Sequence, residues 1–119
     1  MMLEWNEYHR QVLERIGDIG RMSPETLRGY HGLSNAGAKT AKLDARTREL
    51  IALAVAVTRQ CDGCIVVHAD AAVKHGASRE EIAEALGVAV AVNAGAALVY
   101  SARVMDAYAA KAETAGATS

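Results

Sequence analysis

Cys61 and Cys64 stand three positions apart, and His68 follows four positions after the second of them. Residues four apart on a helix lie on one face, one turn from each other. A helix that restarts just after Cys61 therefore brings the His68 imidazole within reach of the Cys64 sulfur. Cys61, immediately before that helix, can approach the same sulfur. The reactive form of a cysteine is its thiolate, and an ordinary thiol pKa of about 8.5 leaves little thiolate at neutral pH. A helix N-terminus supplies partial positive charge, and an imidazole acts as base or, once protonated, as counter-ion. A thiolate prepared in this way can attack a hydroperoxide and become a sulfenic acid, which a second thiol condenses to a disulfide. An outside reductant then reopens that disulfide by exchange.

Glu49, twelve positions before Cys61, is the other candidate. A carboxylate in the first turn of a helix satisfies the dipole; the functional alternative is that it orients or recharges His68. If the helices on either side of Cys61 run antiparallel, Glu49 falls nearer Ala72 than His68, so a bridging water or a different crossing angle is required. Two other readings of the cysteines stand beside the redox one. They can be small buried hydrophobes. They can also be ligands: Cys61, Cys64 and His68 have zinc-type spacing, with His75 or Glu49 as a fourth, although a second ligand pair is missing.

The elements that position these residues are helices. Apolar residues from Leu3 to Ile19 recur at amphipathic helical spacing. Ser23-Pro24-Glu25 opens a short helix to about Leu33, with Ser23 as cap and Pro24 at its first position. Ser34 to Leu43 reads as the main loop. Asp44 caps a dense apolar helix to about Arg59, expected to be largely buried. Gln60 to Gly63 is a break; the helix after it ends at Gly76. Ser78 to Glu81 is a capping box for a helix to about Val92. Asn93-Ala94-Gly95 reads as a kink or connection, with Asn93 at a subunit contact or lining the site. A last helix ends near Ala112 before a frayed tail, with Tyr100 and Tyr108 as packing residues. No alternating strand is evident. The fold class is all-α: one compact domain over residues 1–119, of five to seven helices.

Composition narrows the function. The chain has 119 residues, 51% of them hydrophobic, with no Phe and a single Trp. Small apolar side chains in such number suit close helix packing and leave a surplus that points to a homo-oligomer. Net charge is −1, with basic and acidic residues interspersed, so no basic patch invites nucleic acid. The apolar run from Leu86 to Ala102 falls short of the roughly 20 residues of a membrane span. It reads as a helix buried on most sides, at a subunit contact. The start of the chain shows no signal pattern. Two cysteines so close do not make a secreted disulfide scaffold, and a cytoplasmic setting is expected.

The stretch Leu43-Asp44-Ala45-Arg46-Thr47-Arg48-Glu49-Leu50-Ile51, then Cys61-Asp62-Gly63-Cys64 and His68, then Gly76-Ala77-Ser78-Arg79-Glu80-Glu81-Ile82, resembles the alkylhydroperoxidase D-like branch of the carboxymuconolactone decarboxylase family. The resemblance covers residues 43–108, and the combination of Glu, paired Cys and His is specific as a set. It implies an all-helical fold in trimers or hexamers. It implies Glu49, Cys61, Cys64 and His68 as a proton relay and redox pair, with Cys64 attacking the peroxide and Cys61 resolving. It also implies recharging by a dithiol such as a lipoyl group, without metal or flavin. The family's lactone decarboxylases lack the cysteine pair, which argues against decarboxylation here. Two departures stand out: Gly63 occupies a place where some members carry a second His, and the stretch around Asn93 to Ala97 lacks a Pro found in relatives.

Overall fold

The computed structural model describes residues 1–118, and they form six helices and no strand. They are α1 (Trp5–Met22), α2 (Pro24–Ser34), α3 (Ala36–Thr40), α4 (Ala45–Arg59), α5 (Asp62–Lys74) and α6 (Arg79–Thr118). The helical class and the number of helices match the sequence reading.

Local chemistry explains most boundaries. The Asp44 carboxylate accepts the Thr47 N–H at 2.8 Å and starts α4. Gln60 in the left-handed region (φ 52°) ends it and turns the chain into α5. Gly76, at φ 80°, closes the α5 terminus. Ser78 and Glu81 form the expected reciprocal box: the Ser78 N–H donates to Glu81 Oε1 at 2.8 Å, and the Glu81 N–H donates to Ser78 Oγ at 3.0 Å. Ser23 does not cap α2 with its side chain; its hydroxyl pairs with that of Thr26 instead. Part of the expected 34–43 loop winds into α3, which stops at Ala41 in the left-handed region.

The larger difference lies in α6. Asn93-Ala94-Gly95 neither kinks nor breaks the chain, and the helix continues past Ala112 through the expected tail to Thr118. Asn93 spends its amide within the helix and on its neighbour, donating to the Ala89 carbonyl at 2.7 Å and to Thr58 Oγ1 at 2.8 Å. The polar group is satisfied without opening the backbone, and the alanine-rich flanks favour helix. Within the chain, Asn93 thus ties α6 to α4 through its amide nitrogen.

The packing is sparse. Leu53, Ala56, Val66, Ala72 and Ala89 are the only buried hydrophobic residues among those described, and no polar residue among them is buried. They lie where α4, α5 and the first half of α6 meet; α1 lies against α5 and α2. α4 is half-buried rather than largely buried, with Ile51 and Val55 open to solvent. Within the single chain the run from Leu86 to Ala102 is not covered on most sides, and Tyr100 and Tyr108 are 66% and 70% exposed. At 1.5 Å per residue, α6 alone is about 60 Å long. The radius of gyration is 20.8 Å, against roughly 13 Å for a compact domain near this size. The chain is therefore extended along α6, not compact.

Candidate active site

The site is built on the α4–α5 turn. Cys61 is the N-cap of α5, and its sulfur accepts the Cys64 N–H at 3.2 Å. Cys61 and Cys64 are joined in a disulfide, with their Cα atoms 5.3 Å apart. Cys61 is half-buried and Cys64 exposed. His68, one turn into α5 beyond Cys64, lines the same small cavity of about 180 Å³ as both cysteines.

Glu49 meets His68 directly: Nδ1 and Oε2 are 2.7 Å apart. Strict antiparallel register leaves an offset of about four residues, or roughly 6 Å along the axes. The two side chains span that offset themselves, so no bridging water is needed. Ionised carboxylates only accept, so the imidazole donates its Nδ1–H to Glu49. This fixes the tautomer and leaves Nε2 as the basic nitrogen. The His68 and Glu49 side chains retain 28% and 20% exposure, so the pair is shielded from much of the screening that weakens surface ion pairs.

All four residues singled out from the sequence, Glu49, Cys61, Cys64 and His68, are thus brought together. Their neighbours were not foreseen. Val12 and Ile16 of α1, Tyr30 of α2 and Val67 of α5 complete the cavity wall. The apolar stripe of α1 was visible in the sequence, but not what it covers; nothing marked Tyr30. Gly63 also lines the cavity, and a Cβ there would meet Val12 Cγ1 at 3.7 Å, an ordinary contact. Its lack of a side chain leaves room instead of relieving a clash.

His75 caps the far end of α5, away from the cysteines. With both sulfurs joined to each other, no group of three His, Cys, Asp or Glu side chains stands in ligand positions among the described residues. His9 lines a separate groove with Trp5 and Asp70. His31 lies 6.0 Å, ring to ring, from Tyr30.

A model of the carboxymuconolactone decarboxylase family matches residues 24–107. An uncharacterised protein of Haemophilus influenzae is 49% identical over 91% of this chain and 96% of its own length. An uncharacterised protein encoded in the cox locus of Paracoccus denitrificans is 37% identical over 72% of this chain and 78% of its own. The apo crystal structure of a carboxymuconolactone decarboxylase family protein from Legionella pneumophila superposes with a TM-score of 0.72 at 37% identity, covering 83% of this chain and 88% of that one.

Proposed function

The chain belongs to the carboxymuconolactone decarboxylase family, and on that footing we propose that it is a thiol-dependent hydroperoxidase of the alkylhydroperoxidase D-like kind. The observation that carries this reading is the Cys61–Cys64 disulfide in one cavity with a histidine that Glu49 holds at 2.7 Å. A thiol pair that closes within one helical turn can alternate between dithiol and disulfide without moving an element.

In the reduced protein, His68 takes the Cys64 proton. The Cys64 thiolate attacks the terminal peroxide oxygen; the O–O bond breaks, an S–O bond forms, and the leaving alkoxide takes the proton from His68 and departs as an alcohol. The Cys61 thiol then attacks the sulfenic sulfur. The S–O bond breaks, the S–S bond forms, and hydroxide leaves with the Cys61 proton as water. An external dithiol, such as a lipoyl group, supplies two electrons and two protons and leaves as its own disulfide. Glu49 is a positioning residue: it sets the tautomer and steadies the imidazolium formed in the first step. The apolar walls of Val12, Ile16 and Val67 suit an alkyl hydroperoxide better than hydrogen peroxide. A reducing compartment suits the cycle, and we place the enzyme in the cytoplasm.

One contact favours a second reading, disulfide reduction led by Cys61. Its sulfur accepts a helix N-terminal N–H, an arrangement that stabilises a thiolate. Both readings are tested by following consumption of an organic hydroperoxide with dihydrolipoamide as reductant, together with sulfenic-acid trapping. Turnover lost in both Cys61→Ser and Cys64→Ser, with trapping in Cys61→Ser only, is the expected result. Turnover surviving in both variants overturns the peroxidase reading. Reduction of a model disulfide, retained in Cys64→Ser without any peroxide consumption by the unaltered protein, transfers the assignment to the second.

A further inference from the structure

Tyr30 is the one polar side chain in the cavity wall that the mechanism above leaves without a part. Beside the two cysteines and His68, the wall is otherwise valine, isoleucine and glycine. The placement of Tyr30 follows from its helix. α2 lies against α1 and α3, and Leu27 seats it on α1. A Cβ at Gly20 would stand only 3.1 Å from Leu27 Cγ, so glycine there lets the two helices close up. Tyr30 follows Leu27 by three positions and shares its face, one turn further on. The seat thus brings Tyr30 to the cysteines, although α2 itself rests mainly on α1.

Packing does not account for the residue. Tyr30 is 57% exposed, so it buries little apolar area. Its only ring–ring contact among the described residues is with the adjacent His31, and its hydroxyl has no hydrogen-bond partner among them. A phenol hydroxyl both donates and accepts. Unpaired in the wall of a reaction cavity, it is a donor for an oxygen bound there. Peroxide reduction needs one. As the O–O bond breaks, negative charge gathers on the departing oxygen. His68 gives its Nδ1–H to Glu49, and its Nε2 is occupied with the Cys64 proton. The Cys61 thiol is reserved for the sulfenic sulfur.

We propose that Tyr30 is a further catalytic residue, whose hydroxyl donates a hydrogen bond to the departing oxygen of the hydroperoxide. The assignment rests on the hydroperoxidase reading and adds to it the group that stabilises the leaving alkoxide. The Cys64 thiolate gives an electron pair to the terminal oxygen. The S–O bond forms, the O–O bond breaks, and its pair passes to the alkyl-bearing oxygen. Tyr30 holds that oxygen as it gains charge and keeps its own proton. His68 then delivers the proton it took from Cys64, and the alcohol leaves. A donor aimed at an oxygen that becomes charged strengthens its bond in the transition state, which is why it speeds the reaction. The consequence is a selective dependence. An alkyl hydroperoxide releases an alkoxide, a poor leaving group, and needs the donor. A peroxycarboxylic acid releases a carboxylate, which holds its charge unaided, and does not.

The test compares the reduced full-length protein with Tyr30→Phe, which keeps the ring and removes only the hydroxyl. Each is mixed in stopped flow with tert-butyl hydroperoxide, with peroxyacetic acid and with iodoacetamide, and free thiols are followed. Iodoacetamide alkylates the same thiolate with no departing oxygen, so it reports whether the variant keeps its site. The expected result is thiol loss about tenfold slower in Tyr30→Phe with tert-butyl hydroperoxide, less than a buried donor supplies because water also reaches this hydroxyl. Rates with peroxyacetic acid and iodoacetamide should be unchanged. Equal rates in the two proteins with tert-butyl hydroperoxide would overturn the assignment. So would equal slowing with all three reagents, because the hydroxyl would then act on the thiolate and not on the leaving oxygen. Failure of the underlying reading looks different: thiols of the unaltered protein would react with tert-butyl hydroperoxide no faster than free cysteine, which overturns the hydroperoxidase reading and the role of Tyr30 with it.

Discussion

The 2.7 Å contact between Glu49 and His68 leaves Nε2 free for the proton transfer proposed above, and two substitutions separate its effects. His68→Ala removes the base and is expected to slow peroxide-driven thiol loss by about 10²-fold, the lower end of what a positioned acid–base group supplies. Glu49→Gln leaves the base but frees its tautomer. It is expected to lower the rate less than His68→Ala does, since the imidazole remains but is no longer held in one tautomer. An unchanged rate would leave Glu49 without a part in the reaction; it lies beyond the first turn of α4, so the helix-end role considered from the sequence does not account for it either. At the start of α4, hydrogen bonding to Thr47, with smaller help from Arg46 and Arg48, holds the Asp44 carboxyl below its usual pKa. A lowered folded-state pKa contributes stability above the unfolded value, about 3.9, and that contribution is lost as pH falls through the folded one. Thermal melts of the wild type should therefore lose stability below about pH 4 through this group, and Asp44→Asn, which caps equally well, should show less of that loss. Asp44→Ala should be destabilised at neutral pH.

At the scale of the elements, α5 carries Cys64 and His68, and α1 and α2 roof the cavity beside them. The roof leaves room at Gly63, so Gly63→His should fold normally and restore a second proton donor beside the thiols. Its peroxide rate is expected to rise several-fold, and by at most about 10²-fold; stopped-flow thiol loss measures it, and no gain would mean His68 already meets the demand. The tie between α6 and α4 is separately testable. Asn93→Ala removes the bond to Thr58 and should cost about 1 kcal/mol in denaturant unfolding. What was legible in the sequence follows the same division. Asp44, Gly76 and the Ser78–Glu81 box act on backbone within a few residues, so their pattern alone placed the helix ends. The direct Glu49–His68 contact depends on how two helices sit against each other, which spacing does not determine. The tie from α6 to α4 joins Asn93 to Thr58, 35 positions earlier, which spacing does not show either. The cavity wall draws Val12, Ile16 and Tyr30 from helices whose apolar faces were visible but whose destination was not.

As a whole molecule, the chain buries few side chains, and its stability is expected to depend on assembly. Association that favours the folded form makes the melting temperature depend on concentration. An about hundredfold increase in protein should raise it by several degrees in scanning calorimetry, whereas a flat response would show that the lone chain is self-sufficient. The arrangement along the chain bears on the order of events during synthesis. Glu49, both cysteines and His68 occupy one hairpin, with its outermost members 19 positions apart, whereas the helix that extends the molecule comes last. Short-range contacts form early and domains take shape as the chain emerges. The proposed redox residues can thus be in place, and open to oxidation, on a nascent chain whose longest helix has not yet been made.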